Sequence, residues 1–177
     1  MNLVPEKILE IVKDIDSTAI ETIHRNQLSI TVQKENIIQI LDKLKNDSIS
    51  MFDLLIDITA IDWLKQEKRF EVVYILYSNH YKTYLRIKTP IEEKDASTES
   101  VTSIYENADW YERETYDMYG IKFNNHPGLR RFYMPEDFKD PSTGEPLYPL
   151  RKDFPLQGVP DSLPLPPYTE KFGEIQS

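Results

Sequence analysis

Proline and glycine are distributed so unevenly that they split the chain in two. All five glycines lie at Gly120 or later, and ten of the twelve prolines lie from Pro127 onward. Proline has no N–H to give to a helix or ladder and fixes φ, so regular structure is repeatedly blocked wherever it recurs. Continuous helices and strands are therefore expected before Gly120. After it, turns, short pieces and extended chain are expected. A length of 177 residues fits one domain with an appendage.

Apolar periodicity fills in the first part. Ile8, Leu9, Ile11, Val12 and Ile15 within Val4–Ile15 have helical spacing. Ile20–His24 and Leu28–Gln33 read as two short strands, the second alternating Leu28, Ile30 and Val32 with Ser29 and Thr31. Helical spacing returns over Asn36–Leu44 through Ile37, Ile40, Leu41 and Leu44. Asp53–Trp63 reads as a strand with Leu55, Asp57 and Thr59 on one side and Leu54, Ile56, Ile58 and Ala60 on the other. Arg69–Ser78 and Thr83–Lys88, rich in β-branched and aromatic residues, read as two more strands joined by a turn at Asn79-His80. The order predicts an α+β domain: a small, mostly antiparallel or mixed sheet with helices on one face over residues 1–90. Residues 91–120 supply a polar connection and then a helix from about Thr98 to Tyr119, with a weak point near Asn107 and Gly120 as its left-handed cap. Residues 121–177 read as an extended, partner-wrapping, proline-rich tail.

Composition removes several classes of function. A net charge of −9 argues against non-specific nucleic-acid binding, which needs Lys and Arg to displace counterions, and against docking on an anionic membrane through a basic patch. With no cysteine there is no disulfide, no thiol catalysis and no cysteine-ligated iron–sulfur cluster in this chain. The longest apolar run, Val72–Tyr77, falls far short of the ~20 residues that span a bilayer, and no secretory signal is expected at the N-terminus. No glycine precedes Gly120, so phosphate- and dinucleotide-binding loops have no place in the first part.

The densest polar–aromatic sequence is the block Trp110-Tyr111-Glu112-Arg113-Glu114-Thr115-Tyr116-Asp117-Met118-Tyr119-Gly120-Ile121. Arg113 and Asp117, four apart, can pair on a helix surface. Glu112, Glu114 and Asp117 could instead form an acid–base or metal cluster, although no histidine accompanies them in the helix. His126 is one of three histidines, none at zinc-ligand spacing, and is expected to hydrogen-bond a carboxylate or carbonyl. Arg130-Arg131 and Arg151-Lys152-Asp153 are basic spots set among Leu129, Phe132, Tyr133, Tyr148, Leu150 and Phe154. Arginine among aromatics is the composition enriched in protein interfaces.

In order, the block ending Asp117-Met118-Tyr119-Gly120-Ile121, then His126-Pro127-Gly128-Leu129-Arg130-Arg131, then Pro149-Leu150-Arg151-Lys152-Asp153-Phe154-Pro155, resembles one family: the 30-kDa subunit of respiratory NADH:quinone oxidoreductase, complex I. Asn125 stands where that family usually has glycine, and asparagine tolerates the positive φ such a turn needs. The resemblance implies a subunit without a catalytic residue or cofactor of its own, FMN and iron–sulfur clusters being held by other subunits. It implies docking on other peripheral-arm subunits, chiefly the large quinone-pocket subunit, and membrane contact only through the complex, on the cytoplasmic face of the bacterial inner membrane. Carried over residue by residue, the interface motif comprises Glu112, Arg113, Glu114, Asp117, Gly120, His126, Pro127, Arg130, Arg131, Arg151, Lys152, Asp153, Phe154 and Pro155. Two other readings stay open: a homologous subunit of a membrane-bound [NiFe] hydrogenase-type complex, and a free-standing acidic enzyme using Glu112, Glu114 and Asp117.

Overall fold

A computed structural model of the chain describes residues 5–154. Helix α1 (Pro5–Lys13) leads into a hairpin of β1 (Ile20–His24) and β2 (Gln27–Thr31), followed by α2 (Ile37–Asn46) and the long strands β3 (Leu54–Asp62), β4 (Phe70–Ser78) and β5 (Thr83–Ile91). A short strand β6 (Ser97–Glu99), helix α3 (Ala108–Tyr119) and strand β7 (Lys122–Asn124) complete the elements. The β1–β2 turn is made by Arg25 and Asn26, both with positive φ, matching the right-handed twist of the flanking strands.

The main sheet has five strands in the order β1-β2-β5-β4-β3. It is mixed: β2 runs parallel to β5, and the other pairs are antiparallel. One face carries Ile30, Phe70, Val72, Tyr74, Leu76, Leu85 and Ile87, which pack with Ile8, Val12, Ile37, Ile40, Leu41 and Leu44 of α1 and α2 into a single core. Fully burying each such aliphatic side chain contributes roughly 1.5–3 kcal/mol before entropy is set against it.

Three differences from the sequence expectation have identifiable causes. First, β3 does not alternate strictly. A bulge between Leu55 and Asp57 turns Leu55 inward with Ile58 and Ala60, and leaves Leu54 and Ile56 exposed. Second, no single helix runs from Thr98 to Tyr119. Ser97–Glu99 is a strand, Val101–Asn107 forms turns, and α3 begins only at Ala108. The strand exists because β7 returns to pair with it in parallel, a long-range partner invisible in local spacing. Third, residues 121–154 fold back on the domain. Ile121 and Phe123 enter the main core, Leu129 packs against it, and Phe138 is buried. The remainder of the expected tail, residues 155–177, lies outside the described residues.

Helix α3 follows the outer edge of β3. Thr115 donates its hydroxyl to the Ile58 carbonyl at 2.9 Å, and Asn107 donates its amide to the Leu55 carbonyl at 2.8 Å. The free carbonyls of an edge strand are thereby covered rather than left as a template for aggregation. Gly120 closes the helix with φ 75°, as the cap position requires. A β-carbon there would lie 2.5 Å from the Tyr148 ring and 2.6 Å from the Arg151 guanidinium, so the glycine also lets the two segments touch.

Candidate docking site

The motif residues meet around α3, and most of their charges are satisfied inside the chain. Asp117 is fully buried. One carboxylate oxygen accepts the backbone N–H groups of Phe132, Tyr133 and Met134 at 2.9, 2.6 and 2.9 Å; the other accepts the Arg131 guanidinium at 2.9 Å. Burial works against ionisation here, but these four donors outweigh it and hold the Asp117 carboxyl below the usual carboxylate range. Arg131 also donates to the Leu147 carbonyl at 3.2 Å and lies over the Tyr148 ring. The expected surface pair of Arg113 with Asp117 is therefore not formed: the side chain of Asp117 turns inward, where backbone donors and a better-placed arginine saturate it.

Glu112, also fully buried, serves the other end of the helix. It accepts the Ser100 hydroxyl and the Val101 N–H, both at 2.7 Å, and so caps the turn that follows β6. The His126 side chain is buried beside it, with Nε2 at 3.9 Å from Glu112 and 3.1 Å from the Asp109 carboxylate. The Gly128 N–H donates to Nδ1 at 3.0 Å, which assigns the proton to Nε2, facing Asp109. Asn125 takes the positive φ expected of it, 61°, and lets the chain turn into His126. Glu112 and Asp117 thus belong to separate, donor-saturated networks and Glu114 to neither, so the three do not assemble into an acid–base cluster.

Burial drives the Glu112 carboxyl up to about 7 from its ordinary 4.5, the Ser100 and Val101 bonds opposing it. A folded-state value above the unfolded one stabilises the fold fully below the unfolded value, and that contribution is lost as pH rises through 7. On the order of 3 kcal/mol should disappear between about pH 4.5 and pH 7.5. Urea unfolding of the chain at pH 5 and pH 8 measures it. Glu112→Gln, which keeps the shape, should flatten the dependence, and an unchanged slope in that variant would locate its origin elsewhere.

The second motif, after Pro149, closes on the other end of α3. The Arg151 Nε donates to the Tyr119 carbonyl at 2.6 Å, capping the helix C-terminus, and its guanidinium stacks on Tyr148 at 4.4 Å and Phe70 at 5.0 Å. The sequence reading places Arg151 in a partner interface; its contacts among the described residues are to the chain's own backbone and rings. The Lys152 N–H donates to Asp62 at 2.9 Å, and Asp153 pairs with Arg69 at 2.8 Å. Arg69 in turn grips Asp62 through two nitrogens at 3.0 and 2.9 Å and reaches Glu93 at 2.5 Å. Phe154 lies near Phe138, their ring centroids 6.2 Å apart. Pro155 lies outside the described residues.

Sequence reasoning missed Asp62, Arg69 and Ser100. Asp62 continues the inward set of Ile58 and Ala60 on β3, and a carboxylate in that register was the available signal for a buried partner. Once these charges are paired, Trp110 (54 % exposed), Phe132 (41 %) and Tyr133 (57 %) stand together at the surface. Phe132 packs edge-on against both Trp110 and Tyr133, with centroids 5.2 and 4.5 Å away. Arg113 lies against both Trp110 and Phe132, at 4.9 and 5.2 Å from the rings. Beside them, Arg113 lines an open groove together with Asp109, Pro127, Gly128, Leu129 and Arg130.

Known proteins share both the sequence and the fold of this chain. Residues 30–160 match the family model described as respiratory-chain NADH dehydrogenase, 30 Kd subunit. An NADH-quinone oxidoreductase subunit of Citrifermentans bemidjiense is 46% identical over 143 residues, covering 81% of this chain and 83% of that protein. Its namesake in Geobacter sulfurreducens is 43% identical over 141 residues, covering 79% and 81%. Among solved structures, a trypsin-resistant fragment of Nqo5 superposes with a TM-score of 0.60 at 25% identity, over 70% of this chain and 98% of the fragment. A chain of the membrane-bound sulfane sulfur reductase, an archaeal respiratory membrane complex, gives a TM-score of 0.64 at 32% identity over 85% of each chain.

Proposed function

This chain belongs to the respiratory-chain NADH dehydrogenase 30 Kd subunit family, and from that premise we propose that it is a docking subunit of an NADH:quinone oxidoreductase. In this reading it carries no redox centre and no catalytic residue. It supports electron transfer from NADH to quinone, and the linked ion translocation, by holding the peripheral arm together. Its neighbours are other peripheral-arm subunits, chiefly the large subunit that forms much of the quinone pocket, and they hold the FMN and iron–sulfur clusters. The observation that carries the reading is the division of labour among the motif residues. Asp117, Glu112, Arg131 and Arg151 rigidify a platform through internal bonds, while Trp110, Phe132 and Tyr133 are left presented on it. Rigid exposed aromatics flanked by arginine are what partner hot spots are made of.

Among the described residues no helix is long and apolar enough to cross a membrane, which suits a peripheral position on the cytoplasmic face of the bacterial cell membrane, reached through the complex. The likeness to a sulfane sulfur reductase chain favours one second reading, a place in a related membrane-bound complex with another electron acceptor, the hydrogenase type included. The higher identity to the quinone oxidoreductase subunits weighs for the first reading. A tagged copy of the gene in the native host decides between them. The tag should recover an assembly with NADH:quinone reductase activity, and deletion of the gene should abolish that activity in membranes. Recovery of an assembly that evolves hydrogen or reduces sulfur, and not quinone, would overturn the first reading.

A further inference from the structure

Arg113 has no ion pair among the described residues. The residue is only 8% exposed, and its Nε is buried with no hydrogen-bond acceptor. Its guanidinium lies against the rings of Trp110 and Phe132, at 4.9 and 5.2 Å from their centroids. The ion pairs among the described residues include none to Arg113 or to Arg130, which is exposed and lines the same groove. The groove's own carboxylate, Asp109, also lines it and is engaged by His126 at 3.1 Å. Elsewhere in this acidic chain Arg69 has three carboxylates and Arg131 has Asp117, while Arg151 has the Tyr119 carbonyl as an acceptor. A buried guanidinium without an anion is costly, and the cost is relieved when an anion is supplied from outside.

Resting on the docking reading above, we propose that the groove between Arg113 and Arg130 is the seat of an aspartate or glutamate side chain carried by a neighbouring subunit. The carboxylate enters between the two guanidinium groups, and the residues beside it lie on Trp110 and Phe132. Charge complementarity selects this occupant. Two cations line one open groove whose own carboxylate, Asp109, is engaged by His126, the ring faces hold Arg113 in place before binding, and the planar fork of arginine suits a carboxylate better than any neutral acceptor. A pair desolvated in this way controls how fast the complex comes apart rather than how fast it forms.

The test uses the native assembly purified through a tag on another of its subunits. Arg130→Glu, at an exposed position, leaves the fold intact and reverses one of the two charges. It should lower the amount of this chain retained in the assembly at least about tenfold, with a sharper loss as salt is raised. Arg113→Lys, which keeps the charge but not the fork, should cause a smaller loss, and the free variant's melting temperature separates docking from folding. A photo-crosslinking residue placed at Leu129 should join an acidic segment of another subunit, located by peptide mass spectrometry. Full retention of Arg130→Glu, or a crosslink to residues 155–177 of this same chain, would overturn the groove as a partner seat while leaving membership of the assembly standing. Failure of the unmodified chain to co-purify with the assembly would overturn both.

Discussion

Asp117→Ala should cost the free chain on the order of 3–5 kcal/mol, because it leaves Arg131 buried with no counter-charge and three consecutive backbone N–H groups with no acceptor. For a domain of this size that is a fall of roughly 10 °C in melting temperature. Asp117→Asn should cost less, since one oxygen can still accept backbone donors while the charge on Arg131 goes unmatched. The damage should also be local. Hydrogen exchange at Phe132, Tyr133 and Met134 should accelerate in both variants, and the aromatic surface they carry should lose its fixed geometry. Docking would then fail along with stability, although Asp117 itself never reaches the surface. A melting temperature in Asp117→Ala within about 2 °C of the parent chain would show that the carboxylate is dispensable.

Removal of Arg69 should do comparable harm by a different route. Its guanidinium ties the end of β3 to the start of β4 and to the returning segment at Asp153. Arg69→Ala strands the Asp62 charge, whose side chain is 1% exposed, at a cost of about 3–5 kcal/mol. Glu93 and Asp153 are each about half-exposed, so their pairs add little energy and act mainly as positional pins. Arg69→Lys should recover only part of the loss, because an ammonium cannot span both oxygens of Asp62. The same pair shapes acid stability. Burial raises the Asp62 carboxyl, but the Arg69 hydrogen bonds and the N–H groups of Lys152 and Leu64 overcome it and bring it down to about 2. A depressed folded-state value stabilises above the unfolded 3.8 and is lost as pH falls through 2, a contribution of about 2 kcal/mol. The acid-unfolding midpoint should move up in Arg69→Ala, and circular dichroism across pH 5 to 1.5 reads it. An unmoved midpoint would assign acid stability to other carboxylates.

These two networks show where sequence reading reached and where it stopped. Apolar spacing was enough to place α1, α2 and the long strands within a few residues, because each buries one continuous stripe whose period is written locally. Gly120 and Asn125 were legible for a similar reason: a positive φ is a demand on one residue, and few residue types meet it. The proline load after Pro127 correctly excluded helices and long strands there among the described residues. The motif residues were also visible as a group, since charge and aromatic density need no partner to be noticed.

Which atom each motif residue meets was not legible. Arg113 and Asp117 have the spacing of a helix-surface pair, yet Asp117 is claimed by residues 131–134 and Arg113 by two aromatic rings. The choice depends on a chain return that costs loop entropy and is repaid only when backbone N–H groups far along the sequence reach a buried carboxylate. Parallel pairing of β6 with β7 and the bulge in β3 are decided in the same way, by partners rather than by propensity. The amino-acid sequence alone determined the types of the long elements before residue 92, the glycine turns, the absence of thiol chemistry and the family. Only the tertiary structure decided which charges are consumed in holding the platform together and which, the largely buried Arg113 among them, have no ion pair among the described residues, because ion pairing in a folded chain is set by burial and distance, and neither is a local property.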